Sequence, residues 1–301
     1  CLCTCEQEPD WVEYHQLKKA LKILLDTLPQ TERQVVLNGG TPDNVSCQSK
    51  LQQVEINLER WRQEKEIPGD RYLLVNIPAF RLYYMRADTV FFSSKIIVGA
   101  IDRQTPVLSS KLECLTLYPY WYVPRKIAVE EYLPVIKRDS MFLYRNNFDV
   151  LNREGEILNP ASIPWQRYTE NNFPVTLRQR EGSVNALGLV KFVFDNPYQV
   201  YLHDTNARGL FNNEYRALSH GCVRVEHAIT LAHLLLTGRP KQKSVIVDRY
   251  IQKKERRTVS LPESIPIHIR YVTAEFREGI FYSYQDVYRE DESLIRTFYQ
   301  L

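Results

Sequence analysis

Two short segments carry the residues with the clearest chemistry. Residues 201–205 read Tyr-Leu-His-Asp-Thr, and residues 217–224 read Ala-Leu-Ser-His-Gly-Cys-Val-Arg. Their patterns predict that a strand ends at His203, and that Cys222 lies in a tight turn leading directly into a helix. An imidazole close to a thiol can accept its proton, as nucleophilic cysteine catalysis requires. These residue types therefore make Cys222 a candidate nucleophile and His203 a candidate base.

The predicted helix after Cys222 gives a second reason for a reactive thiol. It is expected to span residues 225–237 and to end at Gly238. The positive end of a helix dipole favours a thiolate close to the first turn. Gly221 lets the backbone approach a reacting carbonyl, and amides in such a turn can stabilise a developing oxyanion.

The same residues allow other interpretations. A cysteine beside glycine is often a small packing residue in a protein core. His203, His220 and Cys222 could bind zinc, although no fourth ligand follows from their spacing. A disulfide through Cys222 would leave the neighbouring histidines unexplained. From these residues alone, catalysis, packing and metal binding all stay open.

Composition places the chain among ordinary globular proteins. It has 301 residues, of which 44% are hydrophobic and 25% charged, enough for one large domain or two modest ones with a real core. The formal charge of +3 does not argue for a nucleic-acid partner. The 19 tyrosines and 11 glycines favour a strand-rich protein over a glycine-loop nucleotide binder, and we expect no cofactor and no metal.

The remaining cysteines bear on the cellular compartment. The chain begins with Cys1, Cys3 and Cys5, whose spacing does not match paired zinc ligands. One interpretation is a processed lipoprotein with lipid on Cys1, the only case in which we expect membrane association; the other is a truncated chain. A disulfide between Cys47 and Cys114 would be compatible with export, but sequence does not determine its connectivity. We expect any export signal to precede residue 1.

Periodicity divides the chain into three parts. Apolar residues at steps of three and four predict two amphipathic helices within an N-terminal helical segment, residues 1–66. Residues 67–290 are expected to form a strand-rich domain, and residues 291–301 a C-terminal tail. Together these parts predict a mainly β protein with helices (α+β) and a β-sandwich or barrel-like core.

Short β-branched and aromatic runs mark the expected strands. These runs cover residues 72–77, 80–84, 90–92, 96–98, 112–117, 190–194, 199–203, 267–272 and 280–284. Residues 125–186 interrupt them and are rich in Pro, Asn, Tyr and Arg. So long an insertion is usually functional, and its aromatic residues predict an ordered lid with short helices at 130–137 and 165–171.

The sequence Ser-His-Gly-Cys-Val-Arg at 219–224, with His203 nineteen residues before the cysteine, resembles the hallmark of the L,D-transpeptidase (YkuD-domain) family. Leu-His-Asp-Thr at 202–205 fits the upstream half of that hallmark. The resemblance extends over about residues 51–290. Further segments resemble its YcbB-like branch, at residues 57–62, 74–78, 98–99, 104–108 and 119–124.

This resemblance implies a cell-wall enzyme of the periplasm or cell envelope. Cys222 would attack the bond between the third and fourth residues of a peptidoglycan stem tetrapeptide, releasing D-alanine. The side-chain amine of a third residue on a neighbouring stem would then resolve the thioester as a 3-3 cross-link. Carbapenem β-lactams would be covalent inhibitors. Two alternatives remain: an L,D-carboxypeptidase that uses water as acceptor, and an inert wall-binding scaffold.

The resemblance also implies roles for individual residues. A backbone carbonyl near Asp204 would hold the second ring nitrogen of His203. Oxyanion amides would come from His220, Gly221 and Cys222. Ser219 would be a hydrogen-bonding turn residue, and Arg224 would orient the turn or a substrate carboxylate. The expected substrate-binding residues are Tyr201, Thr205, Trp121 and Tyr120.

Overall fold

The structure is a computed structural model that describes residues 8–37, 45–65, 68–239 and 241–299. The expectations for Cys1, Cys3 and Cys5, including lipidation, lie outside these residues. The side chain of Cys47 also lies outside them, while the thiol of Cys114 is free. A bridge between these two is therefore not among the described contacts.

Strands dominate the described chain, in agreement with the expected fold class. They are β1 (Arg71–Asn76), β2 (Arg81–Arg86), β3 (Thr89–Gly99), β4 (Leu108–Leu117), β5 (Trp121–Tyr122), β6 (Phe148–Leu151), β7 (Ile157–Leu158), β8 (Thr176–Gln179), β9 (Val190–Phe194), β10 (Leu202–His203), β11 (Ala217–Ser219), β12 (Val223–Val225), β13 (Arg257–Arg270), β14 (Ala274–Arg277) and β15 (Ile280–Ser283). Most of the predicted runs are found, although several have different ends.

The main sheet has nine strands in the order β11-β3-β12-β10-β9-β4-β13-β1-β2. Strand β3 pairs with β2 as well, so the sheet closes on itself as a barrel. Its interior is filled by apolar side chains that alternate with outward-facing ones, among them Leu73, Val75, Phe192 and Leu202. The barrel-like prediction is confirmed.

Two strand predictions needed correction at their ends. The expected strand at 199–203 is limited to β10, because the side chain of Asn196 holds the preceding backbone in a turn. Its Oδ1 accepts from the amides of Tyr198 and Val200, and its Nδ2 donates to the carbonyl of Val200. Strand β13 begins well before the predicted residue 267, since it runs along β4 over most of its length.

The helices are α1 (Val12–Thr27), α2 (Gln30–Leu37), α3 (Val45–Arg62), α4 (Arg125–Ile127), α5 (Leu133–Arg138), α6 (Phe142–Arg145), α7 (Ala228–Thr237), α8 (Val245–Lys253) and α9 (Glu290–Tyr299). The two predicted amphipathic helices correspond to α1 and α3. Buried Leu17 and Leu58 share one cluster with Tyr72 of β1, so these helices cover one outer face of the barrel. Across the described residues, no helix is both long and apolar enough to span a bilayer.

The expected C-terminal tail is largely helical. The first turn of α9 is tied to the N-terminal helices, because Asp291 accepts from Nη1 of Arg60 at 2.7 Å and from Oγ1 of Thr273 at 2.8 Å. All three side chains are buried or nearly so. Charge pairing thus fastens this end of the chain to α3.

The long insertion has its own sheet and its own core. Its four strands lie in the order β5-β8-β6-β7, and one π-helical turn, Ala128–Tyr132, joins α4 to α5. Leu133, Phe148 and Leu177 belong to a hydrophobic cluster separate from the barrel interior. The helix expected at 165–171 is reduced to a 3₁₀ turn, Trp165–Arg167. The insertion thus packs around its own hydrophobic core.

Candidate functional site

Parallel pairing of β10 with β12 brings the two chemistry-bearing segments together. Leu202 lies opposite Val223, and His203 lies opposite Arg224. The amide of Val223 also donates to the carbonyl of Tyr201 at 3.1 Å. Cys222 immediately precedes β12 in the chain. The half-buried thiol therefore lies beside Tyr201, at the end of the strand pair that carries His203.

The predicted helix after Cys222 begins later than expected. Residues 223–225 form β12, and α7 starts only at Ala228. The cause is strand pairing on both sides, with β10 and with β3, which suits the β-branched Val223 and Val225. Because a helix dipole acts within about the first turn, α7 is not a source of thiolate stabilisation at Cys222.

Two cations take the place of that dipole. Burial raises the pKa of the Cys222 thiol, while a hydrogen bond from the Tyr201 amide and the positive charges of Lys191 and Arg224 act in the opposite direction. Burial also lowers the pKa of Lys191 and of Arg224. The net effect is a raised pKa, because these three groups offset only part of the effect of burial.

Lys191 is a site residue that sequence reasoning missed. It lies on β9, directly opposite His203 in the antiparallel pair of β9 and β10. Its Nζ is 3.7 Å from the ring centroid of Tyr201. Among the described residues, neither Lys191 nor Arg224 has an ion-pair partner. The available signal was one lysine within an otherwise apolar strand, residues 190–194.

His203 is held as a neutral base. Its ring is 5% exposed, and Nδ1 donates a hydrogen bond to the main-chain carbonyl of Asp204. A carbonyl only accepts, so the ring proton resides on Nδ1 and the lone pair of Nε2 is free. Burial, reinforced by the charge of Arg224, lowers the pKa of His203 to about 3. The imidazole is therefore uncharged at neutral pH and able to accept a proton.

The turn before Cys222 is built by Ser219. Its Oγ donates to the carbonyl of Cys222 at 2.6 Å and accepts from the amide of Gly221 at 3.2 Å. Gly221 has φ +112°, a conformation that a side chain would strain. The Gly221 N–H is thus engaged within the turn in this structure, and its expected role as an oxyanion amide stays a prediction. Among the described residues, the amides of His220 and Cys222 have no protein acceptor.

The insertion reaches this turn through Glu131, a second residue missed from sequence. Its Oε1 accepts from Nε2 of His220 at 2.5 Å and from Nη1 of Arg103 at 2.7 Å. Burial acts to raise the pKa of the Glu131 carboxyl, but these two hydrogen bonds hold that pKa below its usual value. The side chain of His220 thus links the turn to the insertion.

Aromatic residues extend the same contact. The ring of Tyr201 lies 5.5 Å from that of His203, and its hydroxyl interacts with Trp121 and with the thiol of Cys222. Trp121 is buried in the insertion core, where its ring meets Tyr132 edge to face. Two of the expected substrate-binding residues therefore join the insertion to the thiol.

The two other expected substrate-binding residues, Tyr120 and Thr205, make contacts of their own. The guanidinium of Arg178 is 4.6 Å from the ring centroid of Tyr120, and that of Arg256 is 5.6 Å away on the same ring. Thr205 is buried, and its Oγ1 accepts from the amide of Ala207 at 3.1 Å. The hydroxyl of Thr205 is thus used within its own loop.

Asp204 fixes the end of the insertion to the site. Its buried carboxylate accepts from the amide of Leu189 at 2.9 Å and from Arg208 at 2.5 Å. Gly188, at φ +59°, allows this approach, because a Cβ there would be 2.4 Å from Oδ2 of Asp204. As for the zinc alternative, no group of three acidic, histidine or cysteine side chains within the described ranges is arranged to hold a metal ion.

Sequence comparisons agree with this geometry. The family model of the L,D-transpeptidase catalytic domain (YkuD) matches residues 70–247. A Haemophilus influenzae protein named as an L,D-transpeptidase is 35% identical over 245 residues, which cover 81% of this chain and 49% of that protein. The chain thus spans about half the length of this relative.

Solved structures match this chain with lower sequence identity. An L,D-transpeptidase from Mycobacterium smegmatis is 14% identical, with 67% of this chain and 58% of that chain covered and a TM-score of 0.31. An Enterococcus faecium L,D-transpeptidase is 10% identical, with 67% and 50% covered and a TM-score of 0.27. These matches do not separate the branches of the family, so the YcbB-like assignment stays a prediction. From the family model and the H. influenzae relative, the chain belongs to the L,D-transpeptidase catalytic-domain family, a family of enzymes.

Proposed function

We propose that this protein is a peptidoglycan L,D-transpeptidase that forms 3-3 cross-links through an acyl-enzyme on Cys222. The observation that carries the proposal is the pairing of β10 with β12. This pairing sets a neutral, buried imidazole on the strand next to a half-buried thiol. That arrangement suits a nucleophile with its own general base.

The proposed reaction has two steps. Nε2 of His203 takes the thiol proton, and Sγ of Cys222 attacks the carbonyl carbon of the third stem residue. Collapse of the oxyanion breaks the C–N bond to D-alanine, whose amine leaves with the proton from His203. The side-chain amine of a neighbouring stem then attacks the thioester and gives its proton to His203. The C–S bond breaks, and Sγ of Cys222 leaves and takes that proton back from His203 as the free thiol.

Charge in the site suits this substrate. Stem peptides carry carboxylates, and Arg224 is half-buried with a side chain that makes no hydrogen bond or ion pair among the described residues. Of the two roles expected for Arg224, the missing contact with the turn favours binding of a substrate carboxylate. Lys191 adds a second positive charge beside the thiol. A buried cation without a partner is stabilised when an anionic ligand binds.

Incubation with a disaccharide tetrapeptide and mass analysis of the products tests the proposal. We expect free D-alanine, a transient thioester on Cys222 and a cross-linked dimer. Trimmed tripeptide without dimer would replace the proposal with an L,D-carboxypeptidase. No release of D-alanine, with the protein folded, would instead support an inert wall-binding scaffold.

We further propose that the insertion covers the donor peptide. It contacts the turn through Glu131 and the thiol through Tyr201 and Trp121. A cover of this kind orients the donor and limits water, which favours an amine over hydrolysis. The expected place of action is the periplasm or cell envelope, where the wall is built. Carbapenem β-lactams are the expected covalent inhibitors.

Excision of the insertion should reduce cross-linking more than acylation by a small β-lactam. Because β5 pairs with β8, the structural unit of the insertion extends beyond the expected residues 125–186. The amide of Tyr118 donates to the carbonyl of Leu189 at 2.9 Å, so a short Gly-Ser linker can replace residues 119–188 without moving the barrel strands. A small β-lactam needs less of the covering surface than two stem peptides do. The measurement pairs imipenem acylation with dimer yield on the excised and parent proteins. Equal losses in a folded variant would mean that the insertion builds the cleft itself.

A further inference from the structure

A buried threonine lies directly behind the turn that carries Cys222. Thr105 is 2% exposed, in the loop that follows β3. Its Oγ1 donates to the carbonyl of Gly221 at 2.8 Å and accepts from the amide of Gly99, also at 2.8 Å. The Gly99 amide has no lone pair to offer, so the hydroxyl proton is directed at Gly221. This hydrogen bond fixes one peptide unit of the turn.

That peptide unit contains the amide of the nucleophile. The carbonyl of Gly221 and the N–H of Cys222 belong to one planar, trans peptide, so they point in opposite directions. Because buried Thr105 holds the Gly221 carbonyl, the Cys222 N–H points away from Thr105. Gly221 has no side chain to restrict its own dihedral angles, and its φ is +112°. Without the threonine hydroxyl, the hydrogen bonds of Ser219 would still hold the Gly221 amide and the Cys222 carbonyl, but nothing described would hold the Gly221 carbonyl itself.

The threonine is itself rigidly held. The hydroxyl of Tyr288 accepts from the amide of Thr105 at 3.1 Å and donates to the carbonyl of Gly99 at 2.7 Å. Tyr288 is buried and stacks on Tyr271 with ring centroids 5.5 Å apart. Gly99 permits the close approach, since a Cβ there would be 2.1 Å from the carbonyl oxygen of Arg103. Three elements distant in sequence thus converge on the orientation of one amide.

We propose that Thr105 is a positioning residue that directs the Cys222 amide into the oxyanion hole. The inference rests on the proposed acyl transfer at Cys222. This role would explain why residues 104–108 resemble the family, although none of them takes part in the proposed bond-making or proton-transfer steps. Because the Gly221 amide donates to Oγ of Ser219 in this structure, the orientation of the Cys222 amide carries more of the proposed oxyanion stabilisation.

Two reactions of the same thiol separate positioning from general damage. Acylation by imipenem passes through a tetrahedral oxyanion, whereas alkylation by iodoacetamide displaces iodide and forms none. In Thr105→Val, which keeps the shape and loses the hydroxyl, acylation should fall by about 10²-fold, because a mispositioned donor loses most of its effect. Alkylation should stay within about twofold of the parent. Thr105→Ser, which keeps the hydroxyl, should acylate at nearly the parental rate.

The outcomes distinguish this inference from the proposed function. Equal losses of acylation and alkylation in Thr105→Val would overturn the positioning role, as would unchanged acylation. A parent protein that alkylates but is acylated by neither imipenem nor a stem tetrapeptide would overturn the proposed function, and the inference with it. If Thr105→Val does not fold, Tyr288→Phe serves as the second variant. It leaves the threonine hydroxyl in place, and a smaller but still selective loss of acylation is expected.

Discussion

Replacement of Cys222 by alanine should abolish every covalent adduct while leaving the fold unchanged. The alanine side chain has no nucleophilic atom, so neither a stem tetrapeptide nor a carbapenem can form a thioester at this position. The hydrogen bonds of the turn use the side chain of Ser219 and the main chain of Gly221 and Cys222, and all of them survive the substitution. Intact-mass measurement after incubation with each compound gives the readout.

Cys114 provides the matched control for that experiment. It is the other free, half-buried thiol in the described part of the chain, and burial raises its pKa as well. It lies on β4 rather than in the turn, and the charge of Lys191 acts on it as it does on Cys222. Cys114→Ala should therefore form the adduct at the parental rate. An adduct on Cys222→Ala, or its loss in Cys114→Ala, would show that the nucleophile has been assigned incorrectly.

Replacement of His203 by alanine should slow acylation by about 10²–10⁴-fold at neutral pH, the usual contribution of a general base. The pH dependence should change with it. With a pKa of about 3, His203 is uncharged from weakly acidic to weakly basic pH, so the parental acylation rate should be nearly flat there. Without His203, reaction requires preformed thiolate. Because burial raises the pKa of Cys222, the rate should then climb about tenfold per pH unit across this range.

His220 provides the comparison for His203. Its ring contacts Glu131, and its expected contribution is the main-chain amide, which survives substitution. His220→Ala should therefore give a smaller loss and keep the flat pH profile. Rates of acylation by imipenem, measured for both variants between about pH 5 and about pH 9, check the assignment. A steep profile in His220→Ala and a flat one in His203→Ala would mean that the two histidines have exchanged roles.

The sequence by itself determined those features that depend on residues close together in the chain. Apolar residues at steps of three and four established α1 and α3, and β-branched runs established most barrel strands, because both patterns depend on neighbours in the chain. The pattern around His203 and Cys222 identified the family for a related reason. A turn that exposes a thiol constrains its own residues, so its sequence is specific. The roles of the two residues stay predictions.

Tertiary structure alone decided what surrounds the thiol. Lys191, Glu131 and Thr105 belong to a strand, the insertion and a loop that come together only when the barrel closes. Because the segment after Cys222 pairs with β10 and β3, it forms β12 instead of the first turn of a helix. The charges near the thiol are therefore those of Lys191 and Arg224, not a helix dipole. Which amides are free to meet an oxyanion depends on hydrogen bonds between distant segments. No local pattern encodes such contacts, because each partner is chosen by the fold.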